Sequence, residues 1–159
     1  MSNGFPLEFD GEAFTPSAKP IRLLSDIPNI QTLQVPEREY IVPGVIARST
    51  ITLHTGDCGS GKSYLLLKMA IAIASGGEFL GRRCKQTPVL YLDFENPPFV
   101  VKERLDLMAD STLDDLHVWG TWLEQQPPQA GNELLLTIAK EERPVIIVDV
   151  AVFPRFRGK

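Results

Sequence analysis

The clearest chemistry lies in eight consecutive residues, Gly56-Asp57-Cys58-Gly59-Ser60-Gly61-Lys62-Ser63. They fit G-x-x-x-x-G-K-[ST], a loop whose backbone N–H groups cradle nucleotide phosphates. Gly56, Gly59 and Gly61 are expected to take φ > 0 and let the backbone approach a phosphate with no Cβ in the way. Lys62 would reach the β/γ oxygens, and the Ser63 hydroxyl would ligate Mg²⁺. The context expected for such a loop is a strand before it and a helix after it, whose dipole also faces the phosphates. Cys58 would lie beside that helix N-terminus, where a thiol's pKa can fall. The plainer reading of Cys58 is a passive small residue.

Two further strand ends carry acids. Val145-Ile146-Ile147-Val148-Asp149 has four apolar residues and then Asp, the Walker-B pattern, whose carboxylate orders Mg²⁺, usually through water. Hydrolysis also needs a carboxylate to orient and polarise the attacking water. Val150 follows Asp149, so that carboxylate has to come from elsewhere. Glu95, in Asp93-Phe94-Glu95-Asn96 after an apolar run, is the best placed, because ligands in parallel sheets bind beyond the carboxyl ends of the strands. The competing role for Glu95 is a cap that complements the dipole of a helix starting near Pro97. Asp93 has the same strand parity and stands in reserve.

The elements needed to position these groups can be read around them. Ile51-Thr52-Leu53-His54-Thr55 reads as the strand entering the loop. Leu65, Leu66, Met69, Ala70 and Ile73 recur at helical spacing and predict the helix leaving it, ended by Gly76-Gly77. Pro88 to Phe94 is nearly all apolar, as in a central parallel strand covered on both faces. Asn96-Pro97 reads as N-cap and first helical position, with Val100, Val101, Arg104, Leu105 and Met108 on the helix that follows. A short strand is expected at Leu116-His117-Val118-Trp119. A helix follows through Leu134, Leu135, Ile138 and Ala139, and then the strand ending at Asp149. This alternation implies βαβ units and a mostly parallel α/β sheet. Upstream, residues 1–20 read as a disordered leader, residues 21–28 as a short helix ended by Pro28, and Pro43-Gly44 as a type II turn. His54 and His117 read as core or edge residues. Trp119 and Trp122 read as packing under a loop, and Tyr40 as a candidate border of an adenine pocket.

The bulk properties narrow the class. A chain of 159 residues with 43% hydrophobic and 23% charged content can build one globular core. A net charge of −4 argues against binding nucleic acid by bulk electrostatics. No apolar run approaches the roughly 18 residues of a membrane span, so no membrane partner is expected. The N-terminus has no secretory-signal pattern. Two cysteines, Cys58 and Cys84, cannot build a disulfide framework or a four-ligand zinc site, and the cytoplasm is the default compartment.

Several stretches together resemble RecA-like ATPases. They are Tyr40-Ile41-Val42-Pro43-Gly44, the loop at 56–63, Ala74-Ser75-Gly76-Gly77, Phe79-Leu80-Gly81, Val89-Leu90-Tyr91-Leu92-Asp93-Phe94-Glu95, Arg104-Leu105 and the strand ending at Asp149. The similarity is in particular to the plasmid-replication and phage-type hexameric helicase branch, often labelled AAA-type ATPases, and it covers roughly residues 21–159. It implies a three-layer P-loop NTPase fold with helices on both faces of the sheet. It also implies Lys62 and Glu95 as catalytic residues, Ser63 and Asp149 as Mg²⁺ ligands, and ATP as the bound nucleotide. Single-stranded DNA as substrate and a homo-hexamer as the working assembly are further implications. The family's core continues past Walker B, whereas this chain ends at Lys159. An incomplete core with its C-terminal strands missing is therefore expected, with unpaired edges beside the Walker-B strand. A regulatory ATP-binding oligomerisation switch and a non-hydrolysing nucleotide-binding fragment stay open as alternatives.

Overall fold

The computed structural model describes residues 20–27, 29–32, 37–57, 59–128 and 132–150. The chain divides into two compact units, Met1–Glu39 and Tyr40–Lys159. In the first unit, the helix expected at 21–28 is reduced to a 3-10 turn at Leu24–Asp26, where the Asp26 carboxylate accepts from the Arg22 and Leu23 amides at 3.0 and 2.8 Å. A second 3-10 turn spans Ile30–Thr32. The leader expected at 1–20 lies, except for Pro20, outside the described residues.

The second unit holds every candidate residue. It opens with a hairpin of β1 (Tyr40–Val42) and β2 (Ile46–Ala47). Gly44 at φ +70° makes the turn, and the Val45 amide donates to the Val42 carbonyl at 2.9 Å, as the Pro43-Gly44 pair suggested. Helix α1 (Lys62–Ser75) follows the glycine-rich loop. It stops at Gly76, which adopts φ +64°, and the Gly77 amide closes onto the Ala72 carbonyl at 2.9 Å. That is the helix-ending geometry in which glycine avoids the Cβ penalty of the left-handed region. A small hairpin, β3 (Glu78–Phe79) and β4 (Arg82–Arg83), leads to the sheet.

The sheet has three parallel strands: β5 (Val89–Asp93), β6 (Leu116–Gly120) and β7 (Val145–Asp149), in the order β6-β5-β7. All five residues of β5 are buried, which is why its sequence is a continuous apolar run rather than an alternation. Register aligns Val89, Tyr91 and Asp93 with Val145, Ile147 and Asp149, so these six residues share one face. Helix α1 lays Leu66, Leu67, Met69, Ala70 and Ile73 against that face. Leu105 and Met108, from helix α2 (Pro98–Met108), pack on the same cluster. Helix α3 (Glu133–Glu141) begins at Asn132, whose side chain accepts from the Leu134 amide at 2.9 Å.

Residues 51–55 differ from the sequence-based expectation. They form no strand, and Ile51 and Leu53 are 100% and 81% exposed. Among the described residues, β7 pairs with β5 alone and no strand borders its other edge. A strand needs a neighbour for its backbone N–H and C=O groups, and alternating apolar residues do not supply one. Leu65, expected to face the core, is 39% exposed; its helical neighbours Leu66 and Met69 are the ones buried.

Candidate active site

The loop is shaped by two glycines. Gly59 and Gly61 adopt φ +77° and +84°, in the region that L residues with a Cβ rarely enter. Gly56 does not have positive φ, contrary to expectation. A Cβ there would come 2.9 Å from Ser60 Oγ, a contact that rotation of the serine side chain can relieve. Gly61 precedes α1, and among the described residues no side chain caps that end. The first amides of α1 are therefore left to whatever occupies the loop. Lys62 folds back over the loop and donates to the Gly56 and Asp57 carbonyls at 2.8 and 2.7 Å. Beside it a cleft of ≈ 450 Å³ is bordered by His54, Thr55, Ser60, Lys62, Tyr64 and Lys68. That volume falls within the roughly 300–1,000 Å³ typical of small-molecule pockets.

In the first turn of α1, Ser63 meets the end of β7. Its hydroxyl donates to Asp149 Oδ1 at 3.0 Å. The other oxygen of Asp149 accepts from the Tyr91 hydroxyl at 2.8 Å. Asp149 is buried, and the α1-facing parity of β7 aims it at the helix N-terminus. The parallel ladder continues past it, with the Phe94 amide donating to the Asp149 carbonyl at 3.1 Å. Burial first, and then the neighbouring Asp149 charge, raise the Tyr91 hydroxyl far above its ordinary value. Tyr91 therefore stays a proton donor.

Asp93, level with Asp149 on the adjacent strand, organises the next turn. It is fully buried, and its Oδ1 accepts from the Glu95 and Asn96 amides at 2.9 and 2.8 Å. The Asn96 side-chain amide reaches both oxygens of Asp93, at 3.2 and 3.0 Å. Arg104, on α2, donates to Asn96 Oδ1 at 3.3 Å. The strand end, the turn and the helix are thus tied together behind Glu95. Glu95 itself points outward, yet its carboxyl is raised above the usual carboxylate range. Partial loss of hydration is the largest cause, followed by the charges of Asp149 and Asp93, with Lys62 opposing them.

A comparison with protein families bears on the same stretch. A family model described as an AAA domain matches residues 17–153. The chain belongs to the AAA-domain family. No solved structure matches it. AAA domains are P-loop nucleotide-binding folds of ATPases, and the helices and parallel three-stranded sheet described above agree with that α/β class.

Within this AAA domain the structure brings Ser63 and Asp149 together and sets Lys62 in the loop with Gly56, Asp57, Gly59, Ser60 and Gly61. Cys58 lies outside the described residues. Asn96 is not the helix cap it was expected to be. Pro97 occupies that position, with no side-chain cap hydrogen bond. Tyr40 is in β1 and does not line the cleft. His117 is exposed on β6, while His54 borders the cleft, its buried Nε2 without a hydrogen-bond partner among the described residues. Trp119 donates to the Gln125 carbonyl at 2.7 Å, and the Trp122 ring occupies the space a Cβ on Gly120 would need. Both tryptophans therefore serve the loop after β6. Tyr91 was missed as a site residue. In the sequence it is one of several buried strand residues, and only the β5–β7 register reveals its partner.

Proposed function

We propose that the chain binds Mg·ATP in the loop at residues 56–63 and hydrolyses it, as a RecA-like motor of the helicase type acting on DNA. The observation that carries the nucleotide site is the 3.0 Å hydrogen bond from Ser63 to Asp149, which joins two motif residues from distant parts of the chain. Magnesium suits this donor set. It prefers oxygen ligands and is usually held by one or two carboxylates together with substrate phosphates. Among the described residues no group of three or more His, Cys, Asp and Glu could form an all-protein cage. Ser63 and Asp149 would hold the ion, which supplies charge neutralisation on the phosphate oxygens.

The chain's own groups divide the remaining work. Lys62 exchanges the Gly56 and Asp57 carbonyls for β/γ oxygens. The loop amides and the N-terminus of α1 bind the rest of the phosphate chain. Glu95 orients the attacking water and takes its proton as the water oxygen bonds to the γ-phosphorus and the bond to the β–γ bridging oxygen breaks.

The DNA part rests on the resemblance of the stretches around the loop, Asp93-Phe94-Glu95 and Phe79-Leu80-Gly81 to hexameric helicases. The net charge of −4 offers no bulk attraction to a polyanion. Steady-state ATPase rates with and without single-stranded DNA test it. Stimulation by DNA is expected, and turnover that DNA leaves unchanged would point to an oligomerisation switch instead. Nucleotide binding without turnover is a second reading, favoured by the placement of residues 51–55 outside the sheet. It requires binding with no hydrolysis even at high protein concentration.

A further inference from the structure

We propose that Tyr91 is a positioning residue for the magnesium site, its hydroxyl holding one oxygen of the Asp149 carboxylate so that the other is presented to Ser63. This rests on the Mg·ATP reading of the loop and adds to it a residue to which the sequence assigned no role at the site.

Three observations support it. Tyr91 faces Ile147 across the β5–β7 ladder, which makes Asp149 its diagonal neighbour on the same face, within reach of an aromatic side chain. The two oxygens of Asp149 have different donors: Oδ2 accepts from Tyr91 at 2.8 Å and Oδ1 from Ser63 at 3.0 Å. Tyr91 is 1% exposed and Asp149 5%, so neither group has free access to water as a substitute partner. An unpaired hydroxyl or carboxylate oxygen there would carry the full cost of desolvation. The pair therefore fixes the carboxylate's rotation. Carboxylates that bind metals are oriented by such outer hydrogen bonds, and losing one typically costs about 10–100-fold in metal affinity.

Core packing alone would require the ring of Tyr91 and not its oxygen, so Tyr91→Phe separates the two roles. The measurement is the affinity of the full chain for a fluorescent ATP analogue, in EDTA and across a MgCl₂ titration. With Tyr91→Phe, affinity in EDTA is expected to stay within about twofold of wild type. The Mg²⁺ concentration giving half of the magnesium-dependent gain should rise about 10–100-fold. An unchanged Mg²⁺ midpoint overturns the proposal. Asp149→Asn, run alongside, tells the two levels apart. If it leaves the Mg²⁺ response intact, the magnesium site itself is wrong. If it removes the response while Tyr91→Phe keeps it, only the role of Tyr91 fails. Should Tyr91→Phe not fold, ring-¹³C tyrosine labelling of the wild type gives a second measurement, with only three tyrosines to assign. The Tyr91 signals should move when Mg²⁺ is added to the nucleotide-bound protein, and signals that stay in place count against the proposal.

Discussion

If Glu95 is the base proposed above, it and the acids around it set the pH dependence of turnover. A base works only when ionised, and the Glu95 carboxyl is raised by lost hydration and by Asp149 and Asp93. Turnover should therefore fail, as pH drops, above the ordinary Glu value of about 4.3. Asp93→Asn removes one of the neighbouring negative charges, so ionising Glu95 becomes easier and the acid limb should move to lower pH. The pH profile of kcat/KM for wild type and variant checks this, and a limb that moves upward would contradict it. Glu95→Gln keeps size and hydrogen bonding but cannot accept the proton. It should reduce kcat by about 10²–10⁴-fold and leave the Kd for Mg·ATP within a few-fold. Unchanged turnover would reduce Glu95 to a surface residue of the turn.

At the level of elements, the turn between β5 and α2 is the part most exposed to test. Asn96 bonds the Asp93 carboxylate on one side and accepts from Arg104 on the other. Asn96→Ala breaks both links and leaves Asp93 with only its two backbone donors. A loss of about 1–3 kcal/mol is expected, as for other buried polar groups left short of a partner, together with about tenfold lower kcat at nearly constant nucleotide Kd. Thermal melts and steady-state kinetics read the two effects. This turn also shows what could be read from the chain in advance. The continuous apolar run of β5, the helical spacing of α1 and its Gly76 stop were plain, because each depends on residues close in sequence. The asymmetry between Asp93, turned inward as a structural acceptor, and Glu95, turned outward, was not, since strand parity assigns both to one face. Residues 51–55 show the same limit. Their pattern suits a strand, but pairing depends on an adjacent strand that no local signal specifies, and β7 pairs with β5 instead.

On the scale of the whole molecule, the second unit brings the loop, Asp149 and the Glu95 turn to one end of a parallel sheet. It does so because α1 and the α1-facing residues of β5 and β7 share a single apolar cluster. No helix among the described residues is long and apolar enough to cross a membrane. If the working form is the hexamer that the resemblance implies, sedimentation with Mg·ATP should show a larger species than sedimentation without nucleotide, and a monomer under both conditions would count against it. The central claim, that Mg·ATP binds in the loop at residues 56–63, is tested most directly by calorimetric titration of Mg·ATP into the wild-type chain and into Lys62→Ala. Each charge-assisted hydrogen bond from Lys62 to phosphate is worth about 1.5–3 kcal/mol, and every 1.4 kcal/mol is about tenfold in affinity. Wild type should bind and Lys62→Ala should bind at least about tenfold more weakly. Equal affinity in the two proteins, or no binding by wild type, would contradict the assignment.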